Sequence, residues 1–240
     1  MKIGVQLYAL CGAVAEEGIE AVLSGIKEVG LDGIEAWEDQ YGLSPANFNA
    51  LLGKYGLAAL GCHVAFPILS DHTNPLVKDM GFKQMIIPLL PVDRLKTDLK
   101  ATAVAMEAEI DFYGGRGIAV GYHNHMHEFE NGVDYLAELL RAAPSLQFEP
   151  DIAYLAAAGK PAADYVKPYE NRLMTFHLKE LSKDGVDAPS PRFGRGLSRI
   201  KQCVKIAETL KLPHVIIEFA NLDVPWRDYL KTAAEYIGAC

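Results

Sequence analysis

The stretch that decides the fold is "GIAVGYHNH", residues 117–125. Side chains alternate faces along a β-strand, so this segment splits in two. Ile118, Val120 and Tyr122 form an apolar face suited to packing on helices, while Ala119, Gly121, His123 and His125 form the other. The second face begins small and ends in imidazole. His127 continues the spacing, so histidine stands at every second position from 123 to 127. A lone histidine on such a face is usually a hydrogen-bonded lining residue. The reading therefore depends on whether other strands repeat the design.

They do. Short runs rich in Val, Ile and Leu recur near 2–8, 33–37, 57–63, 84–89, 117–123, 146–151, 173–179 and 214–220. Between them lie helical patterns: "GIEAVLSGIKEVG", "SPANFNALLGKYG", "VDRLKTDLKATAVAMEAEIDFYG", "NGVDYLAELLRAA", "LSRIKQCVKIAETLK" and "VPWRDYLKTAAEYIG". Some close on glycine, such as Gly30 and Gly56, as helix C-termini should. The helix signal is weaker after the third and sixth strands. Eight strands alternating with about eight helices imply a parallel sheet with crossover helices. The count favours a closed (β/α)8 TIM barrel, an α/β fold for which roughly 250 residues is typical. No G-x-G-x-x-G follows the first strand, which removes the usual support for a dinucleotide-binding sheet.

Each strand can be divided in the same way. Gly33, Glu35 and Trp37 oppose Ile34 and Ala36; Ala59, Gly61 and His63 oppose Leu57 and Leu60. Gln147, Glu149 and Asp151 oppose Leu146 and Phe148; Thr175, His177 and Lys179 oppose Met174, Phe176 and Leu178. In the last strand Ile216, Glu218 and Ala220 oppose Val215, Ile217 and Phe219. In a barrel the ionisable face points inward and its C-terminal ends meet at the mouth, where barrel enzymes place their chemistry. Each unpaired buried charge costs several kcal/mol. These groups must pair, bind a cation or face a wet cavity. Recurrence of His123, Asp151, His177 and Glu218 at one height on four strands points to a shared divalent metal.

Composition sets the remaining bounds. The chain of 240 residues, half of them hydrophobic, is expected to form a single domain over 1–240. No apolar run approaches the ~20 residues of a membrane span. "MKIGVQLYAL" enters a strand-like segment at once, leaving no room for a signal peptide, so a cytoplasmic location is expected. A net charge of -8 argues against a nucleic-acid surface, which needs a basic patch. Cys11, Cys62, Cys203 and Cys240 contain no C-x-x-C pair and read as free thiols. The expected partner is a small-molecule sugar, with no nucleic acid and no membrane; a homo-oligomer is left open.

These residues resemble the xylose-isomerase-like barrel superfamily, in its sugar phosphate isomerase/epimerase branch. The likeness runs nearly end to end. It is carried by "IGVQLYAL", "GIEAW", "GYHNHMHEFE", "FEPDIAYLAAAGKPAADYV", "FHLKEL", "GRGLS" and "VIIEFAN" in that order. The resemblance implies one divalent metal held by groups at the ends of strands five to eight. Asp151, His177 and Glu218 match those positions, and His123 takes the fifth, where many relatives carry glutamate; His125 is the competing assignment. It further implies an isomerase or epimerase acting on a sugar or sugar derivative. Manganese or cobalt suits the mixed nitrogen and carboxylate set, with magnesium or zinc as alternatives.

Such an enzyme removes a proton beside a carbonyl and passes through an enediolate. Glu218 is the first choice of base. His125 and Glu35 are the candidate second catalytic groups, because an imidazole bound to a metal cannot also act as a base. His63 and Lys179 are expected to contact substrate oxygens, and Tyr8 and Trp37 to offer faces to a sugar. His127 and Glu128 fall beyond the strand end and read as loop residues. The glycines of "FGRGLSR" could present amides to a phosphate, with Arg195 or Arg199 adding charge, although such a loop is usually only a turn. Two rival functions keep the fold: a lyase or dehydratase acting on a keto-sugar, keto-inositol or 3-oxo-glycoside, and a non-catalytic carbohydrate-binding or partner subunit. A repair endonuclease of the same superfamily would need a basic groove, which the charge disfavours.

Overall fold

A computed structural model describes residues 1–79 and 81–240. The strands are β1 (Lys2–Gln6), β2 (Gly33–Trp37), β3 (Ala58–His63), β4 (Gln84–Ile87), β5 (Ala119–His123), β6 (Gln147–Glu149), β7 (His177–Leu178) and β8 (His214–Ile217). All ladders are parallel, and the order runs β6-β5-β4-β3-β2-β1-β8-β7. The two ends meet through isolated bridges, Phe148 with Leu173 and Asp151 with His177. There the Met174 amide donates to the Phe148 carbonyl and the His177 amide to the Pro150 carbonyl, each at 3.0 Å. The sheet is thus a nearly closed (β/α)8 barrel, sewn lightly between β6 and β7.

The helices form where the apolar spacing and end signals agree. Ile19–Glu28 buries Val22, Leu23 and Ile26 along one side. Pro45–Tyr55 starts on Ser44, whose hydroxyl accepts the Asn47 amide at 3.3 Å, and ends on Gly56 at φ 63°, a left-handed turn that glycine adopts without strain. The pattern over 92–114 divides into Val92–Thr97 and Leu99–Gly114, because Asp98 leaves helical geometry at φ -126°; aspartate favours helix ends over interiors. Weak signals after β3 and β6 correspond to short helices, Phe66–Leu69 and Pro75–Lys78, then Ile152–Ala157 and Ala162–Tyr165. The helix Cys11–Glu17, after a turn over Leu7–Leu10, has no counterpart in the sequence reading. Among the described residues, no helix is long and apolar enough to cross a membrane.

The main hydrophobic core lies between the barrel and its helices. A smaller apolar plug of Leu60, Ile86, Met174 and Ile216 is buried apart from it. These side chains fill the barrel interior where glycines make room. A Cβ on Gly4 would lie 2.4 Å from Leu60 Cδ1, and one on Gly121 would lie 2.2 Å from Met174 Sδ. Two expected faces are therefore corrected. Leu60 turns inward because the β2–β3 register slips between Ile34–Ala59 and Glu35–Gly61, leaving Leu60 as the extra residue; such a bulge resets the alternation. Met174 turns inward because the chain at 174–176 is not yet strand, so alternation cannot be counted back from His177.

Candidate active site

Above the plug, strand ends deliver a layer of buried ionisable groups. Glu35 is fully buried; its Oε2 accepts from Gln6 Nε2 at 2.7 Å and lies 2.6 Å from His177 Nε2 and 3.1 Å from His63 Nε2. Glu149 Oε1 lies 2.8 Å from His63 Nε2, 3.0 Å from His177 Nε2 and 3.3 Å from His123 Nδ1. Glu218 Oε2 meets His177 Nδ1 at 2.5 Å, and its Oε1 accepts from Lys179 Nζ at 3.1 Å. Two groupings converge closely enough to hold an ion: His63, His123, Glu149 and His177, and His123, Asp151, His177 and Glu218. Within each, one ligand atom per residue lies within 4.8 Å of all the others.

Asp151 shows how local structure prepares the second grouping. Its Oδ1 caps the helix Ile152–Ala157 by accepting the Ala153 and Tyr154 amides at 2.8 and 3.1 Å. Its own amide donates to Asn124 Oδ1 at 3.0 Å. The rotamer is fixed, and Oδ2 is left buried with no hydrogen-bond partner. His123 Nδ1 is likewise buried without an aligned partner. Buried polar atoms are rarely left so, and imidazole nitrogen together with carboxylate oxygen is donor chemistry that a divalent cation takes. The residues fit a metal. His123 belongs to both groupings and His125 to neither, so the geometry places His123, not His125, among the candidate ligands.

The electrostatics follow from crowding. Burial opposes a charge on His177, but Glu149 and Glu35 override it and hold its pKa well above the ordinary value. Burial opposes a charge on His63 too, and Glu35 and Glu149 still raise it to about 9. Burial, then the neighbouring His177, pushes His123 down to about 4. Burial and His123 lower His125 to about 2, leaving it a neutral imidazole. Burial would raise Glu149 and Glu218, yet His177 beside the first and Lys179 beside the second keep both well below the carboxylate range. Asp151 rises to about 7 because of burial, with Lys179 pulling the other way. Ligand atoms must be deprotonated, so an ion entering here displaces protons that the carboxylates now hold on imidazole.

The layer floors an open cavity of about 550 Å3. His63, His123, His125, Lys179, Glu218, Tyr8 and Trp37 border it. Glu35 does not; it is fully buried and touches the cavity lining through Gln6 and His63. Lys179 is buried, its ammonium 4.5 Å from the centre of the Tyr154 ring. Tyr8 is 64% exposed at the rim and edge-on to Trp37, ring centres 5.6 Å apart.

Three parts of the site were missed or misplaced in the sequence. Glu149 was legible as inward-facing, two residues before Asp151, yet it received no role; here it ties three histidines together. Glu128 is fully buried, accepting the Tyr122 hydroxyl at 2.7 Å and the His125 amide at 2.9 Å, so it fixes the histidine segment from behind. The glycine-bounded loop does not form a free phosphate cradle. Glu180 fills it: its carboxylate accepts the Gly194 amide at 2.7 Å and the Ser198 amide at 3.3 Å.

No family model matches the chain, and no curated protein matches it. Solved structures do. A sugar phosphate isomerase/epimerase from Parabacteroides distasonis superposes with a TM-score of 0.78 at 19% identity, covering 98% of this chain and 97% of that one. The 3-keto-D-glucoside 4-epimerase of E. coli, in its apo form, gives 0.72 at 15% identity over 100% of both chains. A probable 3-DHS dehydratase from Bacillus anthracis gives 0.72 at 12% identity over 99% of both. The chain therefore shares the (β/α)8 barrel fold of these structures, as expected from the sequence.

Proposed function

We propose that the chain is a metal-dependent isomerase or epimerase of a sugar or sugar derivative, acting by proton abstraction beside a carbonyl. The observation that carries this reading is that one ligand atom each of His123, Asp151, His177 and Glu218 lies within 4.8 Å of the others, with His123 and Glu218 bordering an open cavity and Asp151 Oδ2 buried and unpartnered. Neighbours of the same fold include sugar epimerases, among them a D-allulose 3-epimerase from Methylomonas sp. in complex with D-allulose. A divalent ion, if bound, would be held by these four residues and would supply Lewis acidity to the substrate.

The chain's own groups do the rest. Glu218 is ionised and borders the cavity, so it takes the proton from the carbon beside the carbonyl and can return it. The Lys179 ammonium, 3.1 Å from Glu218, keeps that carboxylate charged and lies where negative charge gathers on a substrate oxygen. His125 is the neutral second acceptor, His63 orients hydroxyls, and Glu35 and Glu149 set the protonation of the histidines above them. Incubating the manganese-loaded protein with a panel of keto-sugars in deuterated water tests this. Carbon-bound deuterium in recovered or epimerised sugar is expected; its absence for every sugar and metal tried rejects the reading.

Elimination is the second reading. The specific observation in its favour is that the fifth strand offers imidazole, His123, where a second carboxylate would serve two-base epimerisation. In the same experiment an unsaturated product identifies a lyase.

A further inference from the structure

The cavity has two unlike walls. The segments that follow β6, β7 and β8 bring Tyr154, Lys179, Asp187 and Glu218 to the cavity, with Phe219 and Ala220 beside the last; those that follow β1 and β4, and the end of β2, bring Tyr8, Pro88, Leu89 and Trp37, with Glu38 beside Trp37. This second, mostly apolar wall reaches into solvent, since Tyr8 is 64% and Leu89 49% exposed. Tyr8 and Trp37 pack edge-on there with ring centres 5.6 Å apart, and large apolar side chains left exposed at a cavity mouth suit an apolar part of a ligand. The charges of the cavity are equally one-sided. Glu38, Asp187 and Glu218 border it against a single ammonium, Lys179, and no arginine lines it among the described residues. That ammonium is committed to Glu218 at 3.1 Å and to the Tyr154 ring. His63 is committed to Glu35 and Glu149. The glycine loop, the other place for an anion, already holds the Glu180 carboxylate.

We infer that the substrate is an unphosphorylated, uncharged sugar derivative bearing an apolar, aromatic-sized substituent, which lies on Tyr8, Trp37 and Leu89 while the carbonyl end faces the ionic wall. A phosphate would find the cavity's one ammonium already committed to Glu218 and would meet the Glu38 and Asp187 carboxylates. A bare hexose would leave the exposed apolar wall uncovered. The cavity lies within the range of roughly 300–1,000 Å3 that takes ligands larger than one sugar ring. The inference rests on the sugar-modifying reading above but is tested by binding instead of turnover.

Isothermal titration, with and without manganese, compares phenyl β-D-glucopyranoside, methyl β-D-glucopyranoside and glucose 6-phosphate. The phenyl glucoside is expected to bind at least tenfold tighter than the methyl glucoside, and the phosphate weaker than either. Leu89→Ala alters an exposed side chain and should fold; it is expected to remove at least threefold of the phenyl advantage without changing methyl glucoside binding. Tightest binding of the phosphate, or phenyl and methyl glucosides that bind alike or not at all, overturns the inference. So does a dimer that Leu89→Ala dissociates while the phenyl advantage persists, since the wall is then an interface between two copies. Failure of the deuterium exchange with this binding pattern intact rejects the proposed reaction and leaves the ligand class standing.

Discussion

Asp151 divides its carboxylate between folding and chemistry: one oxygen holds two helix amides and the other is buried alone. Asparagine can keep the capping oxygen while replacing the unpaired one with an uncharged group. Asp151→Asn is therefore expected to weaken manganese binding at least tenfold, the lower end of what losing even an indirect partner of a metal costs, about 10–100-fold. Its metal-free melting temperature should not fall, because a buried unpaired charge is costly. Calorimetric titration and thermal melts check the two halves separately. Glu218→Gln removes the proposed base and leaves Lys179 without its acid; deuterium exchange should drop by about 10²–10⁴-fold, read by NMR on the recovered sugar.

At the scale of elements, the loop between β7 and the helix Ile200–Thr209 is held by one buried acid. Gly196 packs on that acid: a Cβ there would lie 2.3 Å from Glu180 Oε2 and 2.7 Å from the Leu181 carbonyl. Gly196→Ala should cost about 1–3 kcal/mol of stability, as overpacking does, measured by urea unfolding. The sequence made the strands legible because each carries a run of branched apolar residues, and it made His123, Asp151, His177 and Glu218 legible because they end the inward face. It hid Leu60 and Met174 because a bulge and an unpaired approach to β7 shift the alternation by one without altering composition. It hid the clamp on the glycine loop because Glu180 and Gly194 are joined only in three dimensions. Glu149 was visible, but nothing along the chain says that three histidines surround it.

For the whole molecule, an ion that binds the folded barrel and not the open chain raises stability by mass action. At a hundredfold excess over its dissociation constant the gain is about 2.7 kcal/mol. For a chain of this size each kcal/mol moves the melting temperature by about 2–4 °C, so manganese should raise it by roughly 5–10 °C and a chelator should reverse this. The effect has a definite address. Asp151 and His177 face each other across the thin seam where β6 meets β7, with two backbone hydrogen bonds beside them. A cation gripping both residues acts as a rivet on the weakest joint of the cylinder. Stripping it should let the amides of Met174 and His177 exchange with solvent faster, while those on the long ladder between β1 and β8 keep their pace. Activity and the tightness of the wall would then be lost together, through one hole.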